Sequence, residues 1–340
     1  MIAACKVGLC LFAIAMTAPL AAAKEIKSWH VENRIEGPDG EKSKDVSGIA
    51  CTQTDGFPRS CLVIDDNLQE AQFVTVRDGE LIAGKAIRLI DDVFERKRKE
   101  KKPKSEPLEL DGEGIAFSDG FYYVIGSHGR PRHTANKSDE EIAARKAARS
   151  QIVRFRASDG VSAVPERSAK LARILAGEPV LAAVADNDLQ DNGTTIEGIA
   201  IRRGQLYAGF RGPVLGERAM ILSAPLDGLF GERQPAHRLF RLPLGGLGIR
   251  DLALYRDKIL ILAGPMQNGP GRYAVFSWNG DDENVELLGA LDGLSDDEGK
   301  RKPEGLLPLD KTASGRLRVL ILSDGPKEGA PTPVEIDAPD

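Results

Sequence analysis

Short apolar runs recur along the chain, each opened by a polar or small residue set before glycine or aspartate. They read VSGIA (46–50), GEGIA (112–116), IEGIA (196–200), IRDLA (249–253) and PEGLL (303–307). A short turn separates each from a second apolar run: CLVIDD, FYYVIGSHG, LYAGFRGP, ILILAGP and LRVLILSDGP. Gly48, Gly114, Gly198, Asp251 and Gly305 mark one equivalent position, spaced 66, 84, 53 and 54 residues apart. Strand-like runs on a repeat of about 50 residues predict propeller blades, with insertions absorbing the longer spacings. The 3.6-residue apolar period of helical repeats is missing from these segments.

Each repeat extends toward four strands. AQFVTVRDG and KAIRLI follow the first pair, QIVRFRA and AKLARIL the second, AMILSAPL and HRLFRLPL the third, YAVFSWNG and VELLGAL the fourth. The fifth has only PVEIDA, so its outer strand is expected from EIKSWHVENRI near the N-terminus, which would tie both ends down. The expectation is one all-β domain over 24–340, a propeller of five four-stranded blades closed by that N-terminal strand. The alternative is six blades, the sixth hidden in 160–195, whose length is unusual for a connection.

Inserts are expected near 91–110, 129–150 and 160–195. The first carries RKRKEKKPK, which reads as a solvated, mobile loop rather than an anion site. In the second, Ser138 and Glu141 form a capping box and Glu141–Arg145 an i,i+4 pair, which predicts a short surface helix able to lie over one mouth of the channel.

Composition narrows the class. There are 46 Lys+Arg against 51 Asp+Glu, a net charge of −5, and 5% aromatic residues, so neither a basic face nor a base-stacking groove for nucleic acid is indicated. At the N-terminus, Lys6, the apolar VGLCLFAIAMTAPL and Ala21-Ala22-Ala23 read as a signal peptide cleaved after Ala23, hence a periplasmic or secreted protein. No later run is long enough to span a bilayer, and a monomer is expected. Cleavage leaves Cys51 and Cys61 flanking the turn-rich TQTDGFPRS, an arrangement expected to pair as a structural disulfide.

The candidate chemistry follows from the repeat. Innermost strands line a propeller's channel, so Ser47, Glu113, Glu197, Arg250 and Glu304 converge at one level, with Asp251 beside them. Three carboxylates around a narrow axis require neutralisation. Arg250 supplies one charge, and a hard cation such as calcium could supply the rest. Alternatively each Glu accepts backbone N–H groups of the next blade as a staple. The second strands end differently in each blade, as a ligand site would require: Asp65-Asp66, Ser127-His128, Phe210-Arg211, Gly264-Pro265 and Ser323-Asp324. Arg211, Arg250 and His128 could bind an anion, while Asp65, Asp66, Asp324 and Glu197 could hold a metal and support phosphoester hydrolysis. The bland reading of these aspartates and Gly-Pro is that they turn the chain. No G-x-S-x-G, H-E-x-x-H, P-loop or dinucleotide spacing is present, and His30, His128, His133 and His237 are scattered.

Taken together, S-G-I-A…C-L-V-x-D-D, E-G-I-A…Y-Y-V-I-G-S-H, I-E-G-I-A…G-F-R-G-P, L-G-G-L-G-I-R-D-L…L-A-G-P and K-P-E-G…L-S-D-G resemble the bacterial proteins grouped as domain of unknown function 3616, from about Val46 to Pro326. The resemblance implies a propeller and no particular chemistry. The E-G inner strands are also distantly similar to those of esterase-like phytases and related calcium-dependent propellers. Two functions stay open: a propeller presenting its loop face and channel to a small molecule or protein, and a calcium-dependent phosphoester hydrolase.

Overall fold

In the computed structural model, residues 27–98, 101–232, 236–296 and 298–340 are described; the expected leader, 1–23, lies outside them. The chain forms a five-bladed β-propeller. Blade one runs outward through Val46–Cys51, Arg59–Asp65, Glu70–Arg77 and Glu80–Arg88. Blade two uses Gly112–Ser118, Phe121–Gly126, Ile152–Arg156 and Glu166–Ser168. Blade three uses Thr195–Arg202, Gln205–Gly212, Ala219–Pro225 and Arg238–Leu242. Gly248–Tyr255, Lys258–Gly264, Ala274–Trp278 and Val285–Ala290 make blade four. Lys302–Lys311, Leu317–Asp324 and Thr332–Ile336 make blade five.

Each blade packs between two others, so its second strand is buried on both faces and reads as a continuous apolar run. In blade four, Ile259 and Ile261 join the cluster shared with blade three, while Leu260 and Leu262 join the one shared with blade five. Similar clusters fill the other three blade junctions. The repeated glycine lets neighbouring inner strands approach closely. A Cβ at Gly114 would stand 2.8 Å from the Ile199 nitrogen, and one at Gly198 2.5 Å from the Leu252 nitrogen. Where blade four carries Asp251 instead, the side chain reaches the matching group: Leu306 N–H donates to its Oδ2 at 2.8 Å.

The first described residues and the last strand meet at the junction of blades one and five. The expected closing strand exists as His30–Glu32, but it adds in parallel to the outer strand of blade one rather than completing blade five. It still bridges the two. Trp29 N–H donates to Pro331 O at 2.6 Å, and the Ser28 and Thr332 hydroxyls lie 3.1 Å apart. Below, Arg59 is 1% exposed and donates to Pro308 O, Leu309 O and Gly56 O at 2.7, 2.6 and 2.7 Å. Cys51 and Cys61 pair across the first hairpin with Cα atoms 3.8 Å apart, forming the expected disulfide.

The inserts depart from expectation in two places. AKLARIL is not a strand, because Leu171, Ile174 and Leu175 fall at helical spacing and are buried together in the helix Lys170–Gly177. With the short helix Pro179–Ala182 and the outer strand of blade two it occupies much of 160–195, which holds no sixth blade. On either side of residues 99–100 the basic stretch is strand rather than loop: Val93–Arg98 pairs antiparallel with Lys101–Pro107. The capped helix is present as Asp139–Arg149, with Ser138 Oγ accepting from Glu141 N–H and Arg145 Nε 3.0 Å from Glu141 Oε1.

Candidate functional site

The pairing of inner and second strands slips at one equivalent position in every blade. Val46 faces Asp65 and Gly48 faces Ile64, leaving Ser47 out of the ladder. The same slip skips Glu113, Glu197, Arg250 and Glu304. All five polar positions read from the repeat are thus β-bulge residues. A bulge frees its residue from pairing and turns the side chain out of the normal alternation. Here Glu113, Glu197 and Glu304 turn into one cavity of about 180 Å³ at a mouth of the channel.

That cavity is lined only by polar and charged side chains. Asp45, Asp66, Glu113, Glu197, Glu304 and Asp324 face Arg132, Arg211 and Lys302, with Asn67 and Asn268 between them. At the other end of the same five strands, Ile49, Ile115, Ile199, Leu252 and Leu306 line an apolar cavity of about 100 Å³. Beside the charged mouth lies a cleft of about 330 Å³ that shares Arg132 and Asn268 and contains Asp111, Arg130, His133 and Arg149.

One half of the mouth is locked by ion pairs. Arg211 Nη1 donates to Glu197 Oε1 at 2.9 Å, and its other nitrogens donate to Met266 O and Asn268 Oδ1, each at 2.8 Å. Arg250 lies beneath, with Nε 3.3 Å from Glu197 Oε2 and Nη2 on Glu304 Oε1. Burial opposes the charge of Glu197, but Arg211 and Arg250 outweigh it and hold the carboxyl below its usual range. Burial lifts Glu304 to about 7 against the pull of Arg250.

The other half is open. Glu113 is 4% exposed, and among the described residues no hydrogen bond or ion pair reaches its carboxylate. Asp66 Oδ1 is buried and has no hydrogen-bond partner among the described residues. Burial, reinforced by neighbouring carboxylates, pushes both groups well above the usual range. Oxygens of Asp66, Asp111 and Glu113 lie within 4.8 Å of one another.

The structure therefore brings Asp66, Glu113, Glu197, Arg211, Glu304 and Asp324 into one cavity, with Arg250 beneath it. Asp324 pairs there with Lys302. It does not bring His128, whose Nδ1 lies 2.8 Å from Gly126 O and whose burial lowers it to about 4; the ring lines no part of the cavity. Asp65 is committed to Ser43 Oγ at 2.7 Å and Asn67 N–H at 3.0 Å. Asp251 is the staple, since it accepts Leu306 N–H and Leu252 N–H; the three glutamates are not. Sequence reasoning missed Asp45, Asp111, Lys302 and Arg132. Asp111 immediately precedes the G-E-G motif and could have been found there. Arg132 arrives on the insert ahead of the capped helix, and it is this stretch that overlooks the mouth.

A family described as protein of unknown function, DUF3616, matches residues 88–156 and 149–333. The chain belongs to the DUF3616 family. Among curated proteins none matches. Solved structures similar to this DUF3616 chain include an exo-β-1,3-galactanase from Phanerochaete chrysosporium with β-1,3-galactotriose. That match has 8% identity and a TM-score of 0.47, covering 91% of this chain and 62% of the other, so this chain spans about three fifths of that enzyme. A GH43 β-1,3-galactosidase with galactodeoxynojirimycin is also 8% identical, with TM-score 0.47 and coverage of 91% and 93%. An α-L-arabinofuranosidase from Podospora anserina in complex with cellotriose shows 8% identity, TM-score 0.45 and coverage of 92% and 98%.

Proposed function

We propose that this DUF3616 protein is an exported binding module that takes a small polar ligand at the charged mouth of its channel. One observation carries the reading. Glu197 is immobilised between Arg211 and Arg250, while in the same cavity the Glu113 carboxylate and Asp66 Oδ1 have no hydrogen-bond partner among the described residues. A pre-arranged acceptor beside unfilled acceptors favours a ligand rich in hydroxyl, ammonium or cationic groups. Six carboxylates against three cations in the lining point the same way. Export is supported by the leader-like N-terminus and the Cys51–Cys61 disulfide.

The test is thermal melting of the full mature chain with a panel of monosaccharides, polyols, polyamines and phosphoesters, repeated with Glu113→Gln. Stabilisation by a donor-rich compound that the variant loses supports the reading. No shift across the panel, or shifts unchanged in the variant, count against it. N-terminal sequencing of the processed protein should begin at Lys24.

A second reading, hydrolysis, is favoured by the divided state of the carboxyls. Glu197 is held ionised and Glu113 is driven toward its protonated form in one cavity, as an acid–base pair requires. Release of nitrophenol from nitrophenyl glycosides or phosphoesters, lost in Glu113→Gln, would establish it.

A further inference from the structure

The sequence pointed to Asp65, Asp66, Asp324 and Glu197 as metal ligands. The structure commits three of them elsewhere: Asp65 to Ser43 and Asn67, Asp324 to Lys302, and Glu197 to two guanidinium groups. Asp66 is left, and it stands beside a pair the repeat did not single out as a unit. Asp66 follows the second strand of blade one, while Asp111 precedes the inner strand of blade two and Glu113 lies at its start.

We infer that Asp66, Asp111 and Glu113 form a calcium site at the junction of blades one and two. The inference deepens the ligand-binding reading and rests on it only in sharing the mouth. Three oxygens no more than 4.8 Å apart have a common point within about 2.8 Å of each, near the ~2.3–2.6 Å that calcium takes from carboxylate oxygens. Magnesium, which demands ~2.0–2.1 Å and a strict octahedron, fits this spread less well.

Two further observations point to a bound cation. The Glu113 side chain is buried, faces the cavity and accepts no hydrogen bond among the described residues. Asp66 Oδ1 is buried without a hydrogen-bond partner among those residues. Unpaired buried carboxylates are costly, and they persist where something else completes them. Asp111 is already oriented, because Arg149 Nη1 holds its Oδ2 at 2.9 Å. Arg132 overlooks the group, yet among the described residues no ion pair within 4.0 Å joins it to any of the three. The cation would occupy the space between these carboxylates, which Arg132 faces and Arg149 reaches only at Asp111.

The experiment uses the full mature chain, stripped with EDTA and dialysed, then melted in EDTA, calcium chloride or magnesium chloride. Calorimetric titration with calcium gives the stoichiometry. The expected result is one calcium per chain, with a melting temperature about 5 °C higher at a hundredfold excess over Kd and a smaller response to magnesium. Asp66→Asn and Glu113→Gln should lose the response. Arg132→Gln should bind calcium more tightly, since a repelling charge is removed. Asp45→Asn should keep the response, which separates this site from the neighbouring acidic group Asp45, Asp65 and Asp66. No heat and no shift with saturating calcium in the wild type overturns the inference, and so does a response that survives in Asp66→Asn. If Glu113→Gln does not fold, the wild-type stoichiometry and the Arg132→Gln affinity still decide. A calcium response without any organic ligand, or an organic ligand without calcium, tells the two readings apart.

Discussion

Replacing Glu197 with Gln tests whether the mouth is held by its chain of alternating charges. Arg211, Glu197 and Arg250 are 4%, 2% and 1% exposed, so the interaction is screened little by water. The amide keeps an acceptor for Arg211 Nη1 but removes the charge facing two guanidiniums, leaving Glu304 as the anion nearest Arg250. Breaking a buried pair by removing one partner costs about 3–5 kcal/mol; with one hydrogen bond retained, about 3 kcal/mol is expected. Urea unfolding monitored by fluorescence should show that loss, with a fall of about 6 °C in melting temperature. A second readout is electrostatic. Glu304 is raised to about 7, above its unfolded value, so its contribution to stability is present below the unfolded value and fades as pH rises through about 7. Glu197 repels Glu304 and competes with it for Arg250, so in Glu197→Gln that fade should move to lower pH. A loss below about 1 kcal/mol, with an unmoved pH profile, would refute the reasoning by showing that desolvation cancels the ion pairs.

Arg59→Met should cost at least about 3 kcal/mol in urea unfolding, because three carbonyls lose a charged donor where blade one meets blade five; a cost under about 1 kcal/mol would show that water replaces it. Asp251→Ala should cost about 2–3 kcal/mol by leaving the Leu306 and Leu252 N–H groups unpaired, with no change in calcium titration. Joint replacement of Cys51 and Cys61 by Ser, closing a loop of 10 residues in the native bridge, should cost about 2.5 kcal/mol without changing the fold, checked by melting and circular dichroism.

The blades were legible because the motif recurs where the physics recurs. Each inner strand carries a bulge at the repeated polar position, and four of the five follow it with a glycine, which at Gly48, Gly114 and Gly198 clears the backbone of the next blade. The disulfide and the Ser138 cap were legible because both are local. AKLARIL was misread because seven residues carry too few turns to separate helical from strand spacing, and burial against blades two and three decided it. The pairing of His30–Glu32 with blade one rather than blade five depends on tertiary docking that no local pattern records. Half the site was hidden for a related reason. Asp111 and Arg132 lie outside the repeat, so nothing in the aligned strands marks them as neighbours of Glu113, and only the folded ring brings Asp66 of one blade against the next.

The five bulges also separate two design problems. A residue left out of the ladder can be exchanged without shifting strand register, so the mouth can be rewritten blade by blade on an unchanged frame. Ser47 already occupies one such socket with a neutral group, Arg250 another with a positive one, and glutamates fill the remaining three. Placing histidine, lysine or asparagine at chosen sockets would recast the selectivity of the mouth, and the order of residues around the ring becomes a five-letter word that a designer can respell.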